Sequence, residues 1–208
     1  MIKRPPEPQP SVRRRIVLTG GPGGGKSTAA DLFLREMGER VVPVPEVATM
    51  MFSGGFPRSQ HPLVVHAIQR AIYEVQRNIE DVQTALYPDH VLLCDRGTVD
   101  GAAYWPGESF FEDVGTTLED ELARYDAVIF FETAAKGGMS IESGNPVRTE
   151  TLDEAVWLDT KLRAHWSRHP RFVLVPHHAS FFKKIAYGMK VLTRITHELY
   201  GRPPRKKR

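Results

Sequence analysis

The chain contains five short apolar runs, separated by segments long enough to form a helix. The runs are Arg15–Thr19, Val41–Val44, Val91–Cys94, Ala127–Phe131 and Phe172–Val175. Short runs rich in β-branched and aromatic residues predict strands, and long connections between them predict crossover helices and parallel pairing. The runs at 91–94 and 127–131 are almost continuously apolar, which is typical of strands buried on both faces. The pattern therefore predicts a three-layer α/β/α domain with a five-stranded, mainly parallel sheet.

Four segments between the runs have the amphipathic periodicity of helices, and they cover residues 27–37, 63–86, 152–166 and 179–199. On the longest segment, the predicted buried face consists of Val65, Ile68, Ile72, Val75, Ile79, Val82 and Leu86. Met51–Pro62 and Lys136–Glu150 contain glycine and proline without apolar periodicity, and they are predicted to be mobile loops. Loops at the carboxyl ends of strands hold ligands in open α/β sheets, so we expect these two to capture substrate and close over it.

Length and composition limit the class of protein. A chain of 208 residues with 41% hydrophobic content predicts a single α/β domain, expected at residues 14–201 between tails at 1–13 and 202–208. The apolar runs are too short to cross a membrane, and the proline-rich, basic N-terminus lacks the apolar stretch of a secretory signal. Cys94 is the single cysteine, so no intramolecular disulfide can form. We therefore predict a cytoplasmic protein.

The net charge of +3 is unevenly distributed. Residues 1–15 carry +4 and residues 202–208 carry +5, which leaves −6 for residues 16–201. An acidic domain does not predict nucleic-acid binding through its core. The basic tails leave weak binding to an anionic partner open, beside the simpler interpretation that they are solvated. The eight histidines lack the spacing of metal ligands, and we predict no zinc site.

The first strand is followed by a segment, Gly20–Thr28, that matches the phosphate-binding pattern G-x-x-x-x-G-K-[ST]. Glycines allow successive backbone N–H groups to turn inward toward phosphate oxygens. Lys26 supplies positive charge for the outer phosphates, and the Ser27 hydroxyl is a ligand for Mg²⁺. The motif predicts binding of ATP or GTP with Mg²⁺ at the start of a helix. The predicted nucleotide-binding residues are Gly21, Pro22, Gly23, Gly24, Gly25, Lys26, Ser27 and Thr28.

Charged residues follow two other predicted strands. Asp95, at the end of the third run, is the predicted acid that orients Mg²⁺. Arg96 stands where motor-type ATPases usually have a second carboxylate, and it favours transfer to a bound acceptor over hydrolysis. A simple ion pair between Asp95 and Arg96 is the alternative. Glu46, after the second run, is a candidate general base or a group that holds an acceptor hydroxyl in line. An N-cap-like or solvated glutamate is the alternative.

Arg148 lies in the glycine-containing segment 144–150, just before a predicted helix. There we expect its guanidinium to reach the transferring phosphoryl group when the loop closes. A solvent-exposed arginine is the alternative. Asp100, Gln69 and Gln76 are further candidates for contact with the acceptor, and surface hydrogen bonding is the alternative for each.

Taken in order, these motifs resemble the AAA-type P-loop family that groups NadR-like nicotinamide riboside kinases with proteins similar to the TRPL-translocation-defect protein. The resemblance extends over roughly residues 14–190. It implies a P-loop kinase-like fold, Mg²⁺ with ATP or GTP, and an acceptor crevice near Glu46, Asp95, Arg96 and the Arg148 loop. The chain lacks a recognisable adenylyltransferase domain, which leaves the acceptor open. The segments that carry the resemblance are 19–28, 44–48, 94–104 and 124–126, with Asn145, Arg148 and Glu150.

The leading hypothesis is a small-molecule kinase that transfers the γ-phosphoryl group of ATP or GTP to a nucleoside-like or other hydroxylated acceptor. The alternative is a nucleotide-dependent switch, in which bound nucleotide orders the two loops for a partner. Hydrolysis of the triphosphate also stays open. The sequence has no Asn-Lys-x-Asp motif for reading guanine, which argues against a GTPase of the Ras kind.

Overall fold

The computed structural model describes residues 14–138 and 151–201, and these residues form one five-stranded sheet. Its order is β2-β3-β1-β4-β5, and every neighbouring pair is parallel. The predicted α/β fold and all five predicted strand positions are confirmed, and the third strand extends one residue further to include Asp95. The strands are β1 (Arg15–Thr19), β2 (Val41–Val44), β3 (Val91–Asp95), β4 (Ala127–Phe131) and β5 (Phe172–Val175).

Eight helices occur in the described ranges, and the four longest correspond to the four predicted segments. The helices are α1 (Lys26–Met37), α2 (Val47–Ser53), α3 (Pro62–Leu86), α4 (Gly101–Tyr104), α5 (Phe110–Asp113), α6 (Leu118–Leu122), α7 (Leu152–Trp166) and α8 (Phe181–Tyr200). Helices α2 and α4–α6 were not predicted, because so few turns do not display a helical period in the sequence. None of the helices in residues 14–138 and 151–201 has the length and apolarity needed to cross a membrane.

The central strands separate two hydrophobic cores. Ile16 and Leu18 of β1 point to the face covered by α1 and α8, where they pack in one cluster with Phe33. Val17 points to the opposite face and belongs to a second cluster that includes Trp166 of α7. Successive side chains of a strand alternate between faces, so a strand that is apolar at every position requires cover on both sides. The three-layer arrangement follows.

The carboxyl ends of β1, β2 and β3 lie level with one another. Leu18 is in register with Asp95, and Val44 is in register with Cys94. In the order of the sheet, the connection after β1 leads to β2 on one side, and the connection after β3 leads to β4 on the other. The two connections therefore diverge at this edge and leave a crevice between them. The phosphate-binding loop, Glu46 and Arg96 all follow these strand ends.

Helix α3 buries the predicted face only in part, since Ile68 is buried and Val65, Ile72 and Ile79 are half-buried. Three predicted core residues are exposed, over 39, 53 and 65% of their surface: Val75, Val82 and Leu86. The helix instead buries a mostly polar set of side chains, Ile68, Tyr73, Gln76, Glu80 and Thr84. The reason is Arg15, which is completely buried in β1 and donates hydrogen bonds to Glu80, Asp81 and Thr84 of this helix. A buried guanidinium requires such partners, and that requirement outweighs the apolar periodicity.

The prediction of a loop over Met51–Pro62 was wrong at its start. Helix α2 continues through Met51–Ser53 and ends where Gly54 and Gly55 follow, so the non-helical connection covers only residues 54–61. The second predicted loop, Lys136–Glu150, is described only through residue 138, where a short 3₁₀ turn, Ala134–Gly137, occupies its start.

Candidate active site

The phosphate-binding loop joins β1 to α1 through a glycine-dependent turn. Gly20, Gly23 and Gly25 have φ angles of 126°, 71° and 88°, a region that side chains with a Cβ rarely adopt. The loop also lies against the end of β4, since a Cβ on Gly20 or Gly24 would stand 2.1 or 2.6 Å from the carbonyl oxygen of Phe131. Both the dihedral angles and the close approach therefore require glycine in this loop.

Lys26, at the first position of α1, folds back over the loop. Its Nζ donates to the carbonyl oxygens of Gly20 and Gly21 at 2.8 and 2.9 Å. Burial, and secondarily the positive charge of Arg96, lower the pKa of Lys26 to about 7, against the opposing effect of nearby carboxylates. An ammonium group held in this environment gains strongly from a polyanion placed beside it.

Asp95 reaches the loop from the end of β3. Its Oδ2 accepts a hydrogen bond of 3.0 Å from the Ser27 hydroxyl. Its Oδ1 is buried and has no hydrogen-bond partner among the described residues. Desolvation and the neighbouring charge of Glu46 raise the pKa of Asp95 above its usual value, although Lys26 and Arg96 oppose them.

The oxygens of Ser27 and Asp95 suit Mg²⁺. This ion prefers oxygen ligands and is usually bound by one or two protein groups together with water and substrate phosphates. Oδ1 of Asp95, buried without a partner, is the kind of acceptor that a cation or its bound water would satisfy. The donor set therefore fits the predicted metal.

Glu46 is held by two donors at the start of α2. Arg96 Nε lies 2.5 Å from its Oε1, and the Thr49 hydroxyl donates to Oε2 at 2.5 Å. Burial raises the pKa of Glu46, but the charge of Arg96 and the hydrogen bonds from Thr49 and Arg96 outweigh it and lower the pKa to about 2. Glu46 is therefore an ionised hydrogen-bond acceptor and a weak base.

Arg96 connects Glu46 to Asp100. Its Nη1 donates to Oδ1 of Asp100 at 2.9 Å, and its backbone has a φ of 69°, the one positive value at a residue other than glycine in residues 14–138 and 151–201. The alternative of an ion pair between Asp95 and Arg96 is not what the structure has, since the ion-pair partners of Arg96 are Glu46 and Asp100. Arg96 thus fixes the position of Glu46.

Asp100 was a candidate for contact with the phosphoryl acceptor, but its carboxylate is buried and both oxygens already accept hydrogen bonds within the protein. It is therefore not available to a bound acceptor. Its Oδ1 also accepts from Thr19, and its Oδ2 accepts from the backbone N–H of Gly97 and from Nε1 of Trp166. Of the two glutamines considered, Gln76 is engaged with Glu80 and with the carbonyl oxygen of Arg96. Gln69 lines the cleft and has no hydrogen bond to the described residues.

One cleft of 1410 Å³ contains both the phosphate-binding loop and the charged residues that follow β2 and β3. The phosphate-binding loop from Pro22 to Thr28 lines one part, and α2 and α3 line the other. Glu46, Asp95 and Arg96 lie between them on the cleft wall, while the buried Gly21 lies beside it. The predicted residues are thus brought together, except that Arg148 lies outside the described residues. The wall beside α3 includes Val65, Ile68, Gln69, Ile72 and Tyr73.

The sequence analysis did not identify Asp159 and Thr133, which hold the phosphate-binding loop from beneath the cleft wall. Oδ1 of Asp159 accepts the backbone N–H of Gly21, and the Thr133 hydroxyl donates to the carbonyl oxygen of Pro22. Asp159 is a polar residue in an amphipathic helix and carries no motif. Only the fold brings it to the loop.

Comparison with known proteins agrees with this geometry. A family model described as an AAA domain matches residues 15–182. None of the curated proteins matches the chain in a sequence search. The structure of deoxyadenosine kinase from M. mycoides with bound dATP superposes with a TM-score of 0.62 at 14% identity, covering 87% of this chain and 100% of that one.

Two further structures are similar. The same kinase with the products dCMP and a flexible dCDP gives a TM-score of 0.60 at 14% identity, over 86% of this chain and 99% of that one. The NadR protein in complex with NR gives 0.64 at 13% identity and covers 94% of this chain. The chain spans about half of NadR, 54% of its length. At these identities the likeness establishes the fold, which the chain shares with deoxyadenosine kinase and NadR.

Proposed function

Because the chain belongs to the family whose model, described as an AAA domain, covers residues 15–182, we propose that it is a P-loop kinase. In this proposal it transfers the γ-phosphoryl group of ATP or GTP to a hydroxyl group of a nucleoside-like acceptor. The observation that carries the proposal is that one cleft contains the phosphate-binding loop and, beyond it, the pair of Glu46 and Arg96. A hydrolase or a switch requires no second compartment of this kind.

The dimensions and lining of the cleft support a second bound molecule. Its 1410 Å³ exceeds the ~300–1,000 Å³ that is typical of a single small-ligand pocket. The α3 wall combines apolar side chains such as Ile68 and Ile72 with the amide of Gln69, which suits a flat ring with polar edges. Deoxyadenosine kinase and NadR have the same fold, and their structures contain dATP, dCMP and dCDP in the first case and NR in the second, which favours a nucleoside-like acceptor.

Each residue at the nucleotide end has a defined role in the proposal. Backbone N–H groups of the loop and the Lys26 ammonium bind the β- and γ-phosphates. Ser27 and Asp95 would hold Mg²⁺, which when bound neutralises charge on the phosphates. Lys26 leaves the carbonyl oxygens of Gly20 and Gly21 to reach the phosphates, exchanging two neutral acceptors for charged ones.

At the acceptor end, Glu46 accepts a hydrogen bond from the acceptor hydroxyl and aligns its oxygen with the phosphorus atom. Its low pKa favours this positioning role over proton abstraction, and phosphoryl transfer through a loose transition state needs little general-base assistance. Arg96 keeps the Glu46 carboxylate in place. For Arg148, contact with the transferring phosphoryl group stays a prediction from the sequence.

The direct test incubates the protein with Mg²⁺, ATP or GTP and a panel of nucleosides, and follows each acceptor by mass spectrometry for gain of one phosphoryl group. Product that depends on both acceptor and enzyme supports the kinase. Tight triphosphate binding without turnover of any acceptor favours the switch. A Lys26→Ala preparation purified in the same way controls for contaminating kinases, because it should give no product.

A further inference from the structure

Asp159 of α7 is completely buried and joins two separate parts of the site. Its Oδ1 accepts the backbone N–H of Gly21 at 3.0 Å and the backbone N–H of Thr133 at 2.9 Å. Gly21 belongs to the phosphate-binding loop, and Thr133 follows β4. One carboxylate oxygen therefore connects the loop to the end of the neighbouring strand.

The Gly21 peptide is a fixed point of the loop. The Gly21 N–H belongs to the peptide group shared with Gly20, whose carbonyl oxygen accepts from Lys26 Nζ at 2.8 Å. The carbonyl oxygen of Gly21, in the next peptide group, accepts from Lys26 Nζ at 2.9 Å and from the Gly24 N–H at 3.3 Å. A Cβ at Gly21 would lie 2.8 Å from the Cβ of Asp159, so the glycine is required by the close approach of that side chain. The peptide group that Asp159 holds thus carries one of the two carbonyl oxygens on which Lys26 rests. The peptide group after it carries the other and accepts the Gly24 N–H.

The negative charge of Asp159 is also compensated. Lys136 Nζ lies 3.2 Å from its Oδ2 and 2.8 Å from Oε1 of Glu132. An uncompensated carboxylate at a completely buried position would be costly, so the lysine makes the burial possible. The carboxylate does not line the cleft.

We propose that Asp159 is a positioning residue for nucleotide binding, which holds the Gly21 peptide so that the loop is already shaped for a triphosphate. The inference rests on the proposed function in that a nucleoside triphosphate is the ligand. Preorganisation of a binding group by a buried partner lowers the cost of ordering it when the ligand arrives. The essential property is the acceptor oxygen rather than the charge.

The test measures triphosphate affinity by calorimetry with Mg²⁺ in Asp159→Ala and Asp159→Asn, using whichever of ATP and GTP the wild type binds. Asp159→Ala removes the acceptor and should weaken binding at least about 10-fold, equivalent to one or two lost hydrogen bonds. Asp159→Asn keeps an acceptor at Oδ1 and should stay within about 3-fold of the wild type. If Asp159 acted only through its charge, Asp159→Asn would lose triphosphate affinity as Asp159→Ala does.

Asp126→Ala is the matched control. The Oδ2 of this buried carboxylate also accepts a backbone N–H, that of Arg15 at 3.1 Å, but at the opposite end of β1 from the loop. Its loss should lower the melting temperature and leave the triphosphate Kd unchanged. Unchanged affinity in Asp159→Ala, or equal loss of affinity in Asp159→Ala and Asp126→Ala, would overturn the proposal.

Amide hydrogen exchange of the wild type gives a test that does not depend on whether Asp159→Ala folds. The Gly21 N–H should exchange more slowly than the N–H of Gly23, for which residues 14–138 and 151–201 supply no acceptor. Equal exchange rates would overturn the positioning role. If the wild type binds no triphosphate, the proposed function fails, while the exchange experiment still decides whether Asp159 holds the loop.

Discussion

Arg96 holds Glu46 across the ends of two neighbouring strands, with 2.5 Å between Nε and Oε1. The same guanidinium is held in turn by Asp100, whose own oxygens accept from Thr19 and Trp166. The Glu46 carboxylate is therefore supported by a chain of contacts that reaches β1 and α7. Such support makes Glu46 a precisely oriented acceptor of hydrogen bonds and keeps it ionised.

Glu46→Gln should slow phosphoryl transfer about 100-fold while changing the triphosphate Kd by less than about 2-fold. The amide keeps the size of the side chain but loses the charge that Arg96 holds. Because the pKa of Glu46 is about 2, protonation of this residue should not reduce kcat of the wild type above about pH 4. Single-turnover rates and calorimetry check both statements, and comparable damage to binding and transfer would refute the assigned role.

Lys26→Ala should weaken triphosphate binding at least about 100-fold, because a buried charge-assisted contact to phosphate is lost. Lys190→Ala is the matched control, since Lys190 is an exposed lysine of α8 that does not line the cleft. It should bind as the wild type does. Calorimetry with Mg²⁺ and ATP or GTP measures both variants, and equal affinities in the two would contradict the role of Lys26.

Glu80→Ala should destabilise the fold by about 3–5 kcal/mol, because it removes the completely buried carboxylate that pairs with the Arg15 guanidinium and leaves the half-exposed Asp81 as its ion-pair partner. Glu80 is completely buried and lies 3.0 Å from Arg15 and 2.9 Å from Arg124. Glu119→Ala breaks an ion pair with Arg168 in which both side chains are mostly exposed, so its loss should be under about 1 kcal/mol. Urea denaturation with unchanged m-values measures both, and similar losses would show that burial of the Arg15 network is not what stabilises α3.

The sequence predicted those parts of the molecule whose signal is local. Continuous apolar runs identify the five strands. Glycines followed by Lys26 identify the phosphate-binding loop. The buried face of α3 was predicted only in part, because its buried polar residues contact Arg15, which is 65 positions away from Glu80. The contact between Asp159 and Gly21 spans 138 positions and has no motif at all. Contacts of this kind exist only once the sheet order is known.

The candidate site also contains residues that the sequence identifies locally and contacts that it does not. Lys26, Asp95 and Arg96 could be proposed from the sequence, since each directly follows a predicted strand or glycine turn. Their partners could not, because Arg96 follows Asp95 in the chain yet forms its ion pairs with Glu46 and Asp100. The αL backbone of Arg96, with φ of 69°, turns its side chain away from the path that an extended strand would give it. An arginine gives no sign of a positive φ, so the sequence could not predict this conformation.

The rate at which a reagent labels the Cys94 thiol measures global unfolding of the protein. Because a bound ligand suppresses unfolding, the same rate reports nucleotide binding. The thiol is completely buried in β3, and burial, followed by the charge of Glu80, raises its pKa well above the usual value. A thiol reagent should therefore label the native protein at least about 1,000-fold more slowly than the protein unfolded in guanidinium, since labelling requires unfolding. Labelling of the native protein at the unfolded rate would contradict the burial of β3.

Saturating nucleotide should slow this labelling further, because a ligand that binds only the folded state lowers the unfolded population. At a concentration of about 100 times Kd, the stabilisation is about 2.7 kcal/mol, which corresponds to about 100-fold slower labelling. The same nucleotide should leave the labelling rate of Lys26→Ala nearly unchanged, since that variant has lost the binding. Equal protection of both proteins would mean that nucleotide acts elsewhere than at the phosphate-binding loop, and the assignment of this loop as the binding site would have to be abandoned.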